Sequence, residues 1–378
     1  MPTIDIVVEC EVERTVRLRQ VSSMFEMEET TNPSERWSFD IDLPEEWQIG
    51  LIVGPSGSGK TTLAELLFSN DPTDQYRWPE KKCLLDGFPT TNGTSIKGIT
   101  QTLTSVGFSS PPSWLKPYNV LSTGEQFRAN LARAVHELRE RPQTVVDEFT
   151  STVDRTVARI GSAAVSKAVR RTSGQFVAVT CHNDVEEWLQ PDWVIEMPSG
   201  TLTHRRLVRR PDIDLDIKRC HHSRWATYRK HHYLSHTMNR AAHCYEATWN
   251  GQPVAFMSVL YFPHPVSPGW RGHRIVCLPD YQGIGIGMGL ANYVAGIYAA
   301  TGLPYRTVAT HPALIAHRNK SPLWALTRKP STPRPLHRKK RGGYNRLPQS
   351  AMNRLTATHQ YIGPPNRNGC KLFGLEPA

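Results

Sequence analysis

No stretch of the 378 residues approaches the length and apolarity of a membrane span, and the start, Met1-Pro2-Thr3-Ile4-Asp5, lacks the basic segment and apolar run of a secretory leader. Neither membrane insertion nor export is expected. The seven cysteines (Cys10, Cys83, Cys181, Cys220, Cys244, Cys277, Cys370) are odd in number, scattered and without a C-x-x-C pair, which favours reduced thiols and a cytoplasmic protein over a disulfide framework. No internal repeat is present. Acidic side chains are scarce in the second half: residues 201–378 hold 26 Lys+Arg against 6 Asp+Glu, a net of +20, whereas residues 1–200 hold 19 against 28, a net of −9. Such a split points to DNA, RNA or an acidic partner for the C-terminal half, with a solvated basic surface as the plainer alternative. The length implies two domains, each able to bury a core.

What is present begins with Gly54-Pro55-Ser56-Gly57-Ser58-Gly59-Lys60-Thr61, which fits G-x-x-x-x-G-K-[ST]. Trp47, Ile49, Leu51, Ile52 and Val53 read as a buried strand before it, and Thr62 to Phe68 as an apolar helix after it. The glycines Gly54, Gly57 and Gly59, with Ser56, let backbone N–H groups curl around phosphates. Lys60 adds a positive charge, Thr61 a hydroxyl for Mg2+, and Thr62, at the helix start, joins the nucleotide-binding set. A nucleoside triphosphate is the expected ligand.

Three segments downstream supply partners. Leu121-Ser122-Thr123-Gly124-Glu125-Gln126 precedes a helix (residues 127–138), so that Ser122, Gly124 and the first N–H groups form an anion site; taken singly the segment also reads as a helix cap. The strand Thr144-Val145-Val146 ends in Asp147, suited to hold Mg2+ through water, and Glu148, suited to orient or deprotonate a water. A helix over 156–171 and a buried strand over 176–180 follow, and then His182, placed to sense a γ-phosphate at the same sheet edge.

Residues 1–205 thereby resemble the ATPase domain of the ABC family, with a Walker A loop at Gly54 to Thr61, an LSGGQ-like signature from Leu121-Ser122, and a Walker B strand ending Asp147-Glu148. The resemblance makes Ser151 to Asp154 the D-loop and His182 the switch histidine. It implies ATP and Mg2+ as cofactors, Glu148 and His182 as catalytic residues, and an ATP-dependent homodimer in which Lys60 and Ser122 of opposing subunits serve one γ-phosphate. Thr123 and Glu125 depart from the signature, and Gln101 is only a weak fit to the Q-loop glutamine. The interval from Lys60 to Ser122 is short for the family, which implies a trimmed helical subdomain.

A boundary is expected near 204–211, where Arg205, Arg206, Arg209 and Arg210 flank a proline step. The expected organisation is an ATPase domain over 1–205, a second mixed α/β domain over 206–328, and a disordered basic tail over 329–378 that includes Arg338 to Arg341. Residues 4–21 alternate as a hairpin would, and Ile213, Leu215 and Ile217 alternate with aspartates as a first strand of the second domain. Strands at 245–249 and 253–260 meet at Asn250-Gly251, a hairpin signal, and a further strand at 274–278 leads into Pro279-Asp280-Tyr281-Gln282-Gly283-Ile284-Gly285-Ile286-Gly287 and a small-residue helix over 288–300.

Strand, glycine loop and helix again make an anion cradle. Together with the strand at 305–310 this region, about 212–327, resembles the GNAT acyltransferase family, whose Q/R-x-x-G-x-G/A motif corresponds to Gln282, Gly285 and Gly287, with Gly283 between. The resemblance implies acetyl-CoA or another acyl-CoA, its pyrophosphate held by the loop amides. The strand before the loop offers no carboxylate base, which leaves His273, Cys277, Tyr281, His311 and His317 as candidates, each better suited to a structural role than to a catalytic one. His232 and His236, with Cys220, His221, His222, His243 and Cys244 nearby, make zinc conceivable although no ligand spacing fits. The reading is an ATPase–acyltransferase fusion. The alternative is a nucleic-acid-associated ATPase whose GNAT-like module binds or modifies a base.

Overall fold

The computed structural model describes residues 3–9, 12–25, 34–68, 76–89, 95–204, 210–331 and 355–378. Two compact units emerge, one of Met1–Arg77 with Ala134–Arg210, the other of Trp78–Arg133 with Pro211–Ala378. The second break lies close to the expected one, but the chain also leaves the first unit at Trp78 and returns at Ala134. Residues 78–133, expected to fold within 1–205, instead cluster with the C-terminal unit.

The first unit is built on a five-stranded sheet in the order β4-β5-β3-β6-β7, where β3 is Ile49–Val53, β4 Gln143–Val146, β5 Gln175–Thr180, β6 Trp193–Glu196 and β7 Thr201–His204. β4, β5, β3 and β6 are parallel and β7 closes the edge antiparallel. All five residues of β3 are buried, as a central strand covered on both faces requires. Gly50 is needed there because a Cβ would stand 2.0 Å from the Trp193 indole. Phe68 and Trp193 stack with centroids 5.9 Å apart, and Leu63, Val145, Val177 and Ile195 complete this core.

The hairpin expected over 4–21 is corrected. β1 (Thr3–Glu9) pairs antiparallel with β2 (Ser34–Asp40), and Val16–Met24 is a helix capped by the Thr15 side chain, which accepts from Leu18 N at 3.2 Å. None of that helix is buried, so its alternation of apolar and charged residues recorded no sheet face.

The second unit holds a seven-stranded sheet in the order β13-β14-β12-β11-β10-β9-β8. Its strands are β8 (Asp216–Cys220), β9 (His243–Trp249), β10 (Gln252–Phe262), β11 (Gly269–Cys277), β12 (Tyr305–Ala309), β13 (Trp324–Ser331) and β14 (Thr356–Tyr361). β9 and β10 turn at Asn250 (φ 50) and Gly251 (φ 76), as the dipeptide predicted. The first strand begins later than expected, at Asp216, while Ile213, Leu215 and Ile217 pack on the core. β11 and β12 are parallel and pair only through Trp270, Arg271 and Gly272 with Tyr305, Arg306 and Thr307; every other neighbouring pair is antiparallel. Helix Ile286–Ala299 packs its Leu290, Val294 and Ile297 on the sheet.

The expected tail is a second correction. β13 reaches Ser331, β14 enters the sheet between β12 and β13, and helix Arg367–Leu372 places Cys370 in the same core as Tyr361 and Phe373. Residues 329–331 and 356–378 therefore belong to the fold, and Arg338 to Arg341 lie outside the described residues. No helix among the described residues is long and apolar enough to cross a membrane.

Candidate functional site

Because β3, β4 and β5 are parallel, their C-terminal ends share one edge, and the loops leaving them converge. The loop after β3 runs into helix Lys60–Phe68, with Gly57 (φ 77) and Gly59 (φ 81) in backbone conformations that glycine adopts without strain. Lys60, 8% exposed, folds back so that Nζ donates to Pro55 O at 2.6 Å, and Ser58 Oγ donates to the same carbonyl at 2.9 Å. Thr61 Oγ1 donates to Asp147 Oδ2 at 2.6 Å, while Asp147 Oδ1 accepts the Glu148 N–H at 2.8 Å. Glu148 is exposed in a left-handed conformation (φ 49), directing the chain away from β4. His182 follows β5, its N–H donating to Thr180 Oγ1 at 3.2 Å. Hard oxygen donors at Thr61 and Asp147 fit Mg2+ in kind, since a cation between the two oxygens could replace their hydrogen bond.

Neighbouring motifs brace one another. Asp154 caps helix Arg155–Val169, accepting from Thr156 N at 2.9 Å and Val157 N at 3.0 Å, and Arg155 and Arg159 both bridge to Asp184, two residues beyond His182. Burial would raise the Asp184 pKa, but the two guanidinium groups outweigh it and hold the carboxyl below its usual value. The segments expected as D-loop and switch are thus tied together.

One residue was missed by sequence reasoning. Trp37 of β2 lies over the phosphate loop, where a Cβ on Gly59 would stand 3.2 Å from its ring, and with Arg36, Pro55, Ser56, Gly57, Ser58 and Pro198 it lines a depression of about 390 Å3. An aromatic on an antiparallel strand ahead of a phosphate loop was the available signal.

In the second unit, Ser122 and Gly124 begin the helix Thr123–Glu137. Glu125, the departure from the signature, completes a capping box: its Oε2 accepts from Ser122 N at 3.0 Å and from Ser122 Oγ at 3.2 Å. Gln101 is exposed within the helix Ile96–Ser105, not in a loop following a strand.

The glycine loop follows β11. Gly283 (φ 96) and Gly285 (φ 102) turn the chain so that helix Ile286–Ala299 presents its N-terminus. A Cβ at Gly285 or Gly289 would meet nothing within 4 Å, and at Gly287 only the Cys277 Cβ at 3.5 Å, so this side of the cradle is open. Gln282 is held: its Nε2 donates to Cys277 O at 2.9 Å and its Oε1 accepts from Ser109 N at 2.9 Å.

Three of the five candidate bases are shifted by burial. Burial, reinforced by Arg274 and Arg271, lowers the His273 pKa to about 4, and burial lowers that of His311 as well. Cys277 keeps partial exposure as a residue, yet burial of its thiol, which donates to Tyr281 O at 3.4 Å, pushes its pKa up to about 12. None of these is a strong base or nucleophile near neutral pH. His273 stands at a bulge, where β10 passes from Ser258, opposite Arg274, to Val259, opposite Gly272. Among the described residues no three His, Cys, Asp or Glu side chains gather to hold a metal ion, so the conceived zinc cluster is not assembled.

The first unit is thus a mostly parallel five-stranded sheet with a glycine-rich loop and helix after β3, and the second a seven-stranded sheet with a glycine loop at a helix N-terminus. Residues 210–318 match the Acetyltransferase (GNAT) family model. Two solved structures are similar over part of the chain. One is a dimeric post-hydrolysis state of the ATP-binding cassette MJ0796 bound to ADP and Pi (TM-score 0.37), and the other is the dimeric structure of MJ0796, a bacterial ABC transporter cassette (TM-score 0.36). Each is 16% identical, with 46% of this chain and 93% of the other covered. No curated protein matches the chain.

Proposed function

We propose that the protein hydrolyses ATP through the first unit and transfers an acyl group from an acyl-CoA to an amine through the second. The observation that carries the first half is the Thr61–Asp147 contact, which unites the phosphate loop with the carboxylate strand. Lys60 moves from Pro55 O to the phosphates, Trp37 offers its ring to the base, and Ser56, Gly57 and Gly59 supply backbone N–H groups. Mg2+ bound by Thr61 and Asp147 would neutralise developing phosphate charge. Glu148 orients or deprotonates the attacking water, and His182 contacts the γ-phosphate. Ser122 and Gly124 act on the γ-phosphate of a second copy in an ATP-dependent homodimer. Lys60→Ala is expected to abolish ATP hydrolysis; a retained wild-type rate would remove the assignment.

In the second unit Gln282, Gly283, Gly285 and Gly287 cradle the CoA pyrophosphate at the helix N-terminus, supported by the open space at Gly285 and Gly289. The acceptor amine attacks the thioester carbonyl, an N–C bond replaces the C–S bond, and the departing thiolate takes up a proton. A second reading, with the GNAT-like domain acting on DNA or RNA, is favoured by the +20 net charge of residues 201–378. Fluorescence anisotropy with unrelated duplexes at several salt concentrations tests it, since phosphate-driven binding weakens steeply with salt; absence of binding at low salt would remove it.

A further inference from the structure

Arg128 is 1% exposed and belongs to the helix that opens with the signature. Its guanidinium forks onto the glycine loop: Nη2 donates to Asp280 O at 2.9 Å, and Nη1 to Gln282 O at 3.4 Å and to Val106 O at 3.3 Å. The segment after Val106 holds the same loop from another direction through Ser109 N and Gln282 Oε1. Gly107 (φ +84) permits the approach, since a Cβ there would stand 2.4 Å from Gln282 O and 2.5 Å from Arg128 Nη1.

Both holds lead to the signature. Ser122 lies six residues before Arg128, at the start of the same helix. Glu125 joins Ser122 to the second segment, because its Oε2 accepts from Ser122 while its Oε1 accepts from Ser113 Oγ at 2.7 Å, four residues beyond Ser109. The Glu125 carboxylate thus occupies the helix N-terminus that a phosphate would seek. Two anions repel at such a site, so a phosphate arriving at Ser122 would expel Glu125 and release Ser113.

We propose that Arg128 is a positioning residue for the glycine loop, and that with the Glu125–Ser113 pair it makes the conformation of loop residues 280–287 answer to γ-phosphate engagement at Ser122. The proposal rests on the ATP and acyl-CoA readings above. It gives residues 106–128, on both sides of Ser122, a shared role as the grip on the loop read as the acyl-CoA cradle.

Hydrogen exchange read by mass spectrometry on the full-length Glu148→Gln protein, with and without Mg-ATP, tests this. Mg-ATP should protect residues 121–127 and raise exchange in 107–113 and 280–287 by about fivefold or more, as a coupling between sites requires. Glu125→Gln, at a partly exposed position, should move the nucleotide-free exchange of 107–113 toward the ATP-bound value. Arg128→Leu should abolish the response of 280–287 while leaving that of 121–127, and Arg128→Lys should restore part of it. Protection of 121–127 with no change in 280–287 would overturn the proposal; no response in either segment would overturn it together with the ATP reading. A response in 280–287 by a protein that binds no acetyl-CoA would uphold the coupling and remove the acyl-CoA reading instead.

Discussion

Thr61 Oγ1 and Asp147 Oδ2 lie 2.6 Å apart, the hydroxyl donating to the carboxylate. This contact joins the first turn of the phosphate-loop helix to the end of β4 across a chain separation of 86 residues. If Asp147 holds Mg2+ through water, Asp147→Asn should weaken Mg2+-dependent nucleotide binding by about 10- to 100-fold, the usual cost of losing an outer-shell partner. Titration of Mg2+ at fixed ATP, read by intrinsic tryptophan fluorescence, measures the shift; an unchanged Mg2+ midpoint would remove Asp147 from the site.

Glu148→Gln should bind ATP but not hydrolyse it, and so accumulate as a dimer. The chain carries one set of motifs, which completes two sites only when duplicated head to tail. Light scattering after gel filtration in Mg-ATP should give twice the monomer mass. A variant that binds ATP yet stays monomeric at every concentration contradicts this.

Asp192, just before the neighbouring β6, anchors the start of β3, accepting from Gln48 N at 2.8 Å, Ile49 N at 3.0 Å and both Arg170 Nη atoms at 2.7 Å. Burial would raise its pKa, but Arg170 and the two N–H groups outweigh burial and hold it below the usual value. A depressed folded pKa means stability that is fully present above the unfolded value of about 3.9 and is lost as pH falls through the folded one. Asp192→Asn should cost about 2 kcal/mol at pH 7, in the range for hydrogen bonds to a charged group. Urea unfolding should show that difference narrowing below pH about 4; a gap independent of pH would assign the effect to packing.

Cys277 should resist alkylation at pH 7.5 while exposed Cys181 reacts, because burial pushes the Cys277 thiol to about 12 and leaves little thiolate. Mass mapping after brief iodoacetamide treatment decides. Early labelling of Cys277 would reopen it as a nucleophile.

Much of the first unit was legible because its signals are local. A buried strand, a glycine loop and an apolar helix lie within about twenty residues; Asp147, Glu148 and His182 fall just past the ends of parallel strands, and Thr61 opens the helix that follows a third, so all four come to one edge. The Asn250-Gly251 turn and the Gln282 to Gly287 loop were legible for the same reason. Other features depend on partners distant in sequence. β14 is recognisable only beside β12 and β13, since residues 332–354 separate it from its neighbour and their Pro- and Arg-rich composition resembles a linker. Val16–Met24 alternated like a strand because a solvated helix carries no burial pattern, although Thr15 was a capping signal. Arg128 gave no sign of its role: an arginine on carbonyl oxygens 152 and 154 residues away has no local signature.

The central claim is that one chain holds two separate phosphate cradles, one for ATP and one for an acyl-CoA. Isothermal titration of the wild type with Mg-ATP and with acetyl-CoA, repeated on Lys60→Ala and Gly285→Val, tests it most directly. At Gly285 the backbone φ of 102 strains any β-branched residue, and the added side chain would fill the open side of the loop. The account predicts one site per chain for each ligand, Lys60→Ala losing only ATP and Gly285→Val losing only acetyl-CoA. Failure of the wild type to bind acetyl-CoA below millimolar concentration, or loss of both ligands in either variant with the fold intact, would contradict it.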